Sequence, residues 1–302
     1  MEELAKGIVA RGSRRHLRLF RRSPMILLPV DGSLIDGPQG HLARPADLFT
    51  PELCAELDGV VAFPGLFQAH ARLLLDVPQI LNLTASTVHS AHTSKKLVGT
   101  IEHALALDVD AVAVHVNVTD RHEGKMIRNL AQVVEAAYRY RMPVLAIAYP
   151  RQSSPSGENE YEDLRRNDHA RYTDLVAHSV RIMADLGVDL IKTRYTGHRE
   201  SFQRVVEGAM GVPVVAAGGS PVSEDDALAN AIGAVSAGAI GVAYGRQIFL
   251  SSDPGRFVQR LRRELMSVVS AESGGSSGAV SACTCCETVP TTECHRHRSA
   301  MT

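Results

Sequence analysis

Short runs of almost wholly apolar residues alternate along the chain with longer segments whose charged residues recur on one face. Apolar runs rich in β-branched residues and without polar alternation are typical of parallel strands covered on both faces. We predict eight such strands, at residues 25–30, 59–63, 79–83, 111–116, 143–148, 188–192, 213–216 and 239–242. The charged segments have a helical period, and we predict helices at residues 94–107, 123–139, 165–186, 200–209, 224–237 and 254–268.

This alternation predicts an α/β protein, a single (β/α)8 TIM barrel at residues 24–272. A doubly wound open sheet is the alternative, but such a sheet usually carries a glycine-rich fingerprint after its first strand. The segment that follows the first strand here, DGSLIDGPQGHLARP, lacks that fingerprint, and we predict a long loop for it.

The two ends of the chain differ from the barrel. Residues 1–23 are a predicted basic entry segment, in which the run RGSRRHLRLFRR favours a helix with a solvated basic face. Residues 273–302 are small, polar and aperiodic, which predicts a flexible, disordered tail. The cysteines and histidines in this tail suit zinc or copper(I), but their spacing differs from that of standard zinc sites. We expect the tail to be dispensable for the chemistry of the barrel.

Composition excludes several classes of function. With 302 residues, 45% of them hydrophobic, the chain can bury a full core without disulfides or metals. Its net charge of −1 gives no basic field that would recruit nucleic acid. No apolar run approaches the roughly 18 residues that span a membrane, and the first residues do not resemble a secretory signal. We therefore expect a cytoplasmic protein without nucleic-acid or membrane partners.

In barrel enzymes the active site lies at the carboxyl ends of the strands. Three residues with reactive side chains lie at such positions in this chain. Lys192 ends the sixth predicted strand, VDLIK, and loss of water around a lysine there favours the neutral amine that Schiff-base chemistry requires. Tyr149 follows the fifth strand and can donate or accept a proton beside an iminium. Asp31 follows the first strand and can shuttle protons, although each of the three could instead have a structural role.

Glycine-containing turns follow the last two predicted strands. Gly218 and Gly219 come after the seventh strand, and Gly245 and Arg246 come after the eighth. Backbone N–H groups at these positions commonly hold a phosphate in barrels, so we predict a phosphate site here. Two tight turns without a ligand are the alternative.

The histidines do not predict a metal site. His115 is a lone strand-end residue, which is more often hydrogen-bonded in the core than a ligand, and His89 and His92 lie in a loop without carboxylate neighbours. The barrel contains no HExxH motif, so we predict metal-independent chemistry without a cofactor.

Six segments in the predicted order resemble the archaeal-type class I aldolases of the fructose-bisphosphate and deoxyribose-phosphate aldolase superfamily. They are LTAST, VAVHVNV, LAIAYPR, IKTRYTG, PVVAAGG and GVAYGRQIF. Within that family the likeness is to 2-amino-3,7-dideoxy-D-threo-hept-6-ulosonate synthases and to related synthases that join dihydroxyacetone phosphate to aspartate semialdehyde. The resemblance implies that Lys192 forms the Schiff base, Tyr149 donates a proton, Asp31 assists and the glycine turns hold the substrate phosphate.

Three positions depart from the family pattern. The family commonly has Asp-His-Gly after the first strand, where this chain has Asp31 followed by Gly32 and Ser33. It often has a polar residue before the glycine after the second strand, where this chain has Pro64, and its phosphate turn reads GGP rather than GGSP. These departures favour an altered substrate, such as a less phosphorylated donor, or a reduced activity.

The predicted function is carbon–carbon bond formation between a donor derived from a ketose phosphate and an aldehyde, in the biosynthesis of aromatic or specialised-metabolite precursors. A fructose-bisphosphate-type aldolase and a thiolase acting on a phosphorylated dione are alternatives that would use the same lysine. A non-catalytic barrel that binds a sugar phosphate is a further alternative. We expect small-molecule substrates as partners and a homo-oligomeric assembly.

Overall fold

Eight parallel strands close into a barrel in the computed structural model, which describes residues 13–90, 92–154 and 157–274. The barrel strands are β1 Met25–Pro29, β2 Gly59–Ala62, β3 Gln79–Asn82, β4 Ala111–Val118, β5 Val144–Pro150, β6 Leu190–Arg194, β7 Val214–Ala217 and β8 Gly241–Ala243. Strand β1 pairs with β2 on one side and with β8 on the other, so the sheet has no open edge. The predicted (β/α)8 barrel is confirmed, and the open doubly wound sheet is wrong.

Helices surround the barrel and connect its strands. They are α1 Arg14–Leu19, α2 Gly32–Asp36, α3 Pro45–Leu48, α4 Pro51–Glu56, α5 Pro64–His70, α6 Ile101–Ala106, α7 Glu123–Tyr140, α8 Glu162–Asn167, α9 His169–Asp185, α10 Arg199–Gly208, α11 Glu224–Ser236, α12 Arg246–Phe249 and α13 Pro254–Gly274. Two 3₁₀ turns lie at Gly40–Ala43 and Ala71–Leu73. Two-stranded antiparallel ribbons pair Thr84–Ala85 with Lys96–Leu97 and Gln152–Ser154 with Gly157–Asn159.

All eight predicted strands are present, but several connecting segments differ from the prediction, and the helix predicted at residues 165–186 is divided at Asp168 into α8 and α9. The stretch DGSLIDGPQGHLARP after β1 is not one long loop, because it contains α2 and the 3₁₀ turn at Gly40–Ala43 and ends where α3 begins. The helix predicted at residues 94–107 begins only at Ile101, where the side chain of Thr100 accepts a hydrogen bond from the His103 N–H and caps it. The residues before Gly99 are instead extended in a ribbon.

Side chains alternate between two apolar shells along each strand. On β6, Leu190 belongs to the shell inside the barrel and Ile191 to the shell between barrel and helices. Lys192 therefore faces the interior, since it is two residues beyond Leu190 on the same strand. By the same alternation Ile147 and Tyr149 on β5 face the interior. The apolar interior shell thus places a lysine and a tyrosine at one end of the barrel.

Helix α1 covers the opposite, amino-terminal end of the barrel. Its Leu19 is fully buried among the interior apolar residues. Arg15 pairs with Asp108 at 3.3 Å, and Arg18 pairs with Asp110 at 3.3 Å. Both arginines stay partly exposed, and they also attach the helix to the loop before β4.

A buried carboxylate reinforces the same end. Asp58 has no exposed surface and accepts hydrogen bonds from Arg22, Arg262 and the Ile26 N–H at 2.5, 2.5 and 2.8 Å. A buried charge is tolerated only when it is paired and hydrogen-bonded, so this network is structural. The amino-terminal end of the barrel is therefore closed.

The last helix, α13, continues to Gly274, two residues into the predicted tail. Residues 275–302, which hold the cysteine and histidine run, lie outside the described residues, as does the start of the entry segment at residues 1–12. Among the helices of the described part of the chain, none combines the length and hydropathy needed to cross a membrane.

Candidate active site

A cavity of about 300 Å³ opens at the carboxyl ends of the barrel strands. Its lining includes all seven residues predicted as site residues, namely Asp31, Tyr149, Lys192, Gly218, Gly219, Gly245 and Arg246. They come from β1 and from β5 to β8 or from the loops that follow these strands, so only closure of the barrel brings them together.

Lys192 rises from the interior of the barrel into this cavity. The residue is 8% exposed, and its backbone lies between Ile147 of β5 and Val215 of β7. The next residue, Thr193, faces away and fixes the strand, since its hydroxyl donates to the Ala148 carbonyl at 2.9 Å. A primary amine in this position can be approached only from the cavity.

Asp31 is held by a partner that the sequence analysis did not identify. The Asn82 amide of β3 donates to a carboxylate oxygen of Asp31 at 2.6 Å. The Asn82 Oδ1 accepts from both the N–H and the hydroxyl of Thr84 at 2.9 Å, which sets the orientation of the amide. Because Asn82 is buried, it fixes one oxygen of Asp31 and leaves the carboxylate at the cavity wall.

Tyr149 packs edge-on against His115, with ring centroids 5.1 Å apart and an interplanar angle of 88°. The Asn117 amide donates to the Thr93 carbonyl, so its oxygen faces the His115 Nε2 at 3.0 Å and accepts the proton of that nitrogen. Burial, together with the positive charges of nearby side chains, holds the pKa of His115 well below its usual range. His115 is therefore a neutral residue that positions Tyr149, and the prediction of a hydrogen-bonded His115 is confirmed.

The two glycine turns meet at one side of the cavity. Gly219 has φ +67°, which favours glycine, and a Cβ at Gly245 would lie 2.6 Å from the Pro29 carbonyl oxygen. Gln247 connects the turns, because its amide donates to the Ser220 carbonyl at 2.9 Å. Arg246 is exposed at the rim. The turns bring main-chain N–H groups and one guanidinium to the same side of the cavity, which suits a phosphate.

An ion-pair chain that the sequence analysis also missed borders the cavity. Glu160 forms ion pairs with Arg151 at 3.0 Å and with Arg194 at 2.7 Å, and Arg194 also pairs with Glu162 at 2.8 Å. Burial alone would lower the pKa of Arg194, but Glu160, Tyr172 and Glu162 outweigh it and the pKa is raised. Arg194 lies two residues after Lys192 on the same strand face, so strand alternation alone could have identified it.

Two further residues reach the cavity from the loop between the Thr84–Ala85 and Lys96–Leu97 strands. Lys95 is 2% exposed, and its ammonium donates to the Ser86 hydroxyl at 2.7 Å. His92 lines the same wall, and burial first, then the charges of Arg151 and Lys95, lower its pKa to about 4. No periodic signal marks this loop, which explains why neither residue was predicted. Within the described ranges, no group of three or more His, Cys, Asp or Glu residues is arranged to hold a metal ion.

Comparison with known proteins yields one consistent set of relatives. A family model described as DeoC/LacD family aldolase matches residues 25–251. A 2-amino-4,5-dihydroxy-6-oxo-7-(phosphonooxy)heptanoate synthase of Streptomyces griseus is 35% identical over 254 residues, which cover 82% of this chain and 88% of the relative. A 2-amino-3,7-dideoxy-D-threo-hept-6-ulosonate synthase of Halobacterium salinarum is 38% identical over 239 residues, which cover 79% and 85%.

Solved structures agree with these relatives. An archaeal fructose 1,6-bisphosphate aldolase superposes with a TM-score of 0.73 at 28% identity, covering 84% of this chain and 98% of that one. An archaeal fructose-1,6-bisphosphate aldolase with its catalytic lysine covalently bound to the carbinolamine intermediate gives a TM-score of 0.72 at 29% identity, covering 83% and 98%.

Proposed function

Because the chain belongs to the DeoC/LacD aldolase family, we propose that it is a class I aldolase or transaldolase that forms a Schiff base on Lys192. The single observation that carries this proposal is the position of Lys192, a nearly buried amine facing a cavity that Asp31 and Tyr149 also line. The likeness to a structure whose catalytic lysine holds a carbinolamine supports the same chemistry.

The proposed reaction begins when the Lys192 amine adds to the carbonyl of a ketose-phosphate-derived donor such as dihydroxyacetone phosphate. The resulting carbinolamine loses water to give an iminium, and Asp31 assists the proton transfers. Loss of a proton from the adjacent carbon to solvent gives an enamine, which attacks the carbonyl carbon of the aldehyde. Tyr149 donates a proton to the new alkoxide, and water then hydrolyses the second iminium to release the product and restore the amine. Solvent later returns a proton to Tyr149.

An aldehyde such as aspartate semialdehyde is the proposed acceptor. The Streptomyces relative is named as the synthase of an amino acid with a terminal phosphonooxy group, which supports a phosphorylated donor and an amino-acid-derived acceptor. We propose a role in aromatic or specialised-metabolite precursor biosynthesis on the same basis. The proposed steps use side chains of this chain and no metal or cofactor. The cytoplasmic location and homo-oligomeric assembly stay predictions.

The proposal is tested by trapping the covalent intermediate. Incubating the protein with dihydroxyacetone phosphate and borohydride is expected to add the mass of the donor, less one oxygen atom, to the peptide that contains Lys192. Peptide mass spectrometry gives both the modified lysine and the donor. Fructose 1,6-bisphosphate and a phosphorylated dione in parallel samples test the alternative donors. A protein that forms no adduct with any of these donors would contradict the proposed function.

We propose that the phosphate of the donor binds at the turns formed by Gly218, Gly219, Gly245 and Arg246. Substituting Arg246→Ala is expected to weaken binding of a phosphorylated donor by about 1.5–3 kcal/mol, because a hydrogen bond to a charged group is lost. The measurement is the donor concentration that gives half-maximal trapping. Dihydroxyacetone, which lacks the phosphate, is the control, and an equal loss with both donors would place Arg246 outside the phosphate site.

A further inference from the structure

The glycine turn after β7 is longer than a Gly-Gly-Pro turn, because Ser220 stands between Gly219 and Pro221. The side chains of Ser220, Pro221 and Val222 are exposed, so burial of these side chains does little to fix the turn. Main-chain N–H groups bind an anion well only when the chain is already held in one conformation. A turn of this kind therefore needs a contact from outside itself.

Gln247 makes that contact with two hydrogen bonds. Its amide nitrogen donates to the Ser220 carbonyl at 2.9 Å, and its Oε1 accepts from the Val222 N–H at 3.4 Å. A carbonyl oxygen only accepts and a main-chain N–H only donates, so both contacts require the same orientation of the amide. The Gln247 side chain thus holds the turn on both sides of Pro221.

The beginning of the turn packs on the same side chain. A Cβ at Gly218 would lie 3.0 Å from Cδ1 of Tyr244 and 3.1 Å from Cγ of Gln247. Tyr244 is 2% exposed, and its hydroxyl donates to the Ala227 carbonyl at 2.9 Å. The main chain at Gly218 therefore rests directly on two buried side chains, one of which is Gln247.

The position of Gln247 is set by the barrel and not by the turn. Gln247 is 7% exposed and lies in α12, one residue after Arg246. The next residues of α12, Ile248 and Phe249, are buried, and the Tyr244 N–H donates to the Leu27 carbonyl of β1 at 3.0 Å. Gln247 consequently connects a well-packed segment after β8 to an exposed turn after β7.

We propose that Gln247 is a positioning residue for the phosphate of the donor. It holds residues 218–222 so that the main-chain N–H groups of both glycine turns act on one phosphate, and it acts through the turn rather than as a phosphate ligand. This inference rests on the proposed function, in which the donor phosphate binds at these turns. It specifies a phosphorylated donor, because the added Ser220 supplies the carbonyl that Gln247 binds. The altered GGSP turn is then compatible with phosphate binding.

The Gln247→Met variant tests this role, because methionine has a similar length and volume but forms neither hydrogen bond. The KM for dihydroxyacetone phosphate is expected to rise about tenfold, the scale of the lost hydrogen bonds, while kcat changes by less than about twofold. The kinetic constants for dihydroxyacetone, which lacks the phosphate, are expected to stay as in the wild type. The ratio of kcat/KM between the two donors does not depend on the folded fraction of a sample.

Gln203→Met is the matched control. Gln203 is exposed on α10, and its amide donates to the Glu207 carboxylate at 3.0 Å, so the substitution removes a glutamine hydrogen bond away from the cavity. It is expected to keep the wild-type ratio between the donors. Gln247→Asn is the second test variant and decides the question if Gln247→Met does not fold. It keeps a buried amide but is one methylene shorter, so it cannot span both partners and is expected to lower the ratio.

Binding of inorganic phosphate, measured by isothermal titration calorimetry, separates this inference from the proposed function. We expect the wild-type protein to bind phosphate and Gln247→Met to bind it about tenfold more weakly. A wild-type protein that shows this difference but forms no donor adduct on Lys192 contradicts the proposed function alone. A protein that forms the adduct, while folded Gln247→Met keeps the wild-type donor ratio and phosphate affinity, contradicts the inference alone. Equal losses with both donors would give Gln247 a general structural role and would also overturn it.

Discussion

Substituting Lys192→Arg is expected to abolish turnover, lowering kcat on the order of 10⁴-fold or more, as loss of a covalent nucleophile does in other enzymes. A guanidinium stays protonated at neutral pH and cannot form an imine. The side chain of Lys192 is nearly buried and faces the cavity from β6, so a lysine on the protein surface cannot take its place. Initial rates with dihydroxyacetone phosphate and an aldehyde measure the loss, and borohydride trapping measures the adduct.

Lys96→Arg is the control for this substitution, because Lys96 is exposed on the ribbon strand Lys96–Leu97. It is expected to keep both the rate and the adduct. Lys95 also lines the cavity, so the experiment must distinguish two lysines that could supply the nucleophilic amine. An adduct on the Lys95 or Lys96 peptide, or turnover by Lys192→Arg, would show that Lys192 is not the nucleophile.

Substituting Tyr149→Phe is expected to lower kcat by about 10²–10⁴-fold, the usual cost of losing one general acid. The ring stays against His115, so the fold and the donor adduct on Lys192 are expected to remain. Borohydride trapping measures formation of the adduct, and single-turnover rates measure the later proton transfer, so the two measurements separate these steps. A reduced rate with an intact adduct places the hydroxyl in proton transfer after imine formation.

Tyr138→Phe is the matched control, because it removes the same phenolic hydroxyl at a position away from the cavity. Tyr138 is 81% exposed on α7. It is expected to leave the rate unchanged. A fully active Tyr149→Phe protein would exclude Tyr149 from the mechanism. A Tyr149→Phe protein that loses the adduct as well would instead place the hydroxyl in donor binding or carbinolamine formation.

Strand positions were predictable because burial on both faces leaves a signal in every residue of a strand. The run that ends at Lys192, VDLIK, is apolar apart from Asp189 and the lysine, and the structure places Lys192 in β6. Helix boundaries were less predictable where turns and caps compete with periodicity. The predicted helix started at residue 94, yet Thr100 caps the observed helix at Ile101, and Lys96 and Leu97 pair in a ribbon.

The residues of the candidate site were likewise predictable in part. Lys192, Tyr149 and Asp31 were identified because each follows directly on an apolar strand, and the barrel rule places strand ends at one cavity. Asn82 also ends a strand, but its importance comes from one hydrogen bond to Asp31, a residue 51 positions away. Lys95 and Arg151 are important because they line the same cavity, and no local sequence pattern encodes that position.

The sequence by itself determined the alternation of strands and helices, the (β/α)8 class and the amine at the end of the sixth strand. These properties depend on the local periodicity of burial, which a single segment carries within itself. The tertiary structure decided which polar side chains face one another, including the Asn82–Asp31 contact and the joint position of Lys95 and Arg151. Such pairings arise only when the barrel closes, because closure sets distances between segments that are remote in the chain.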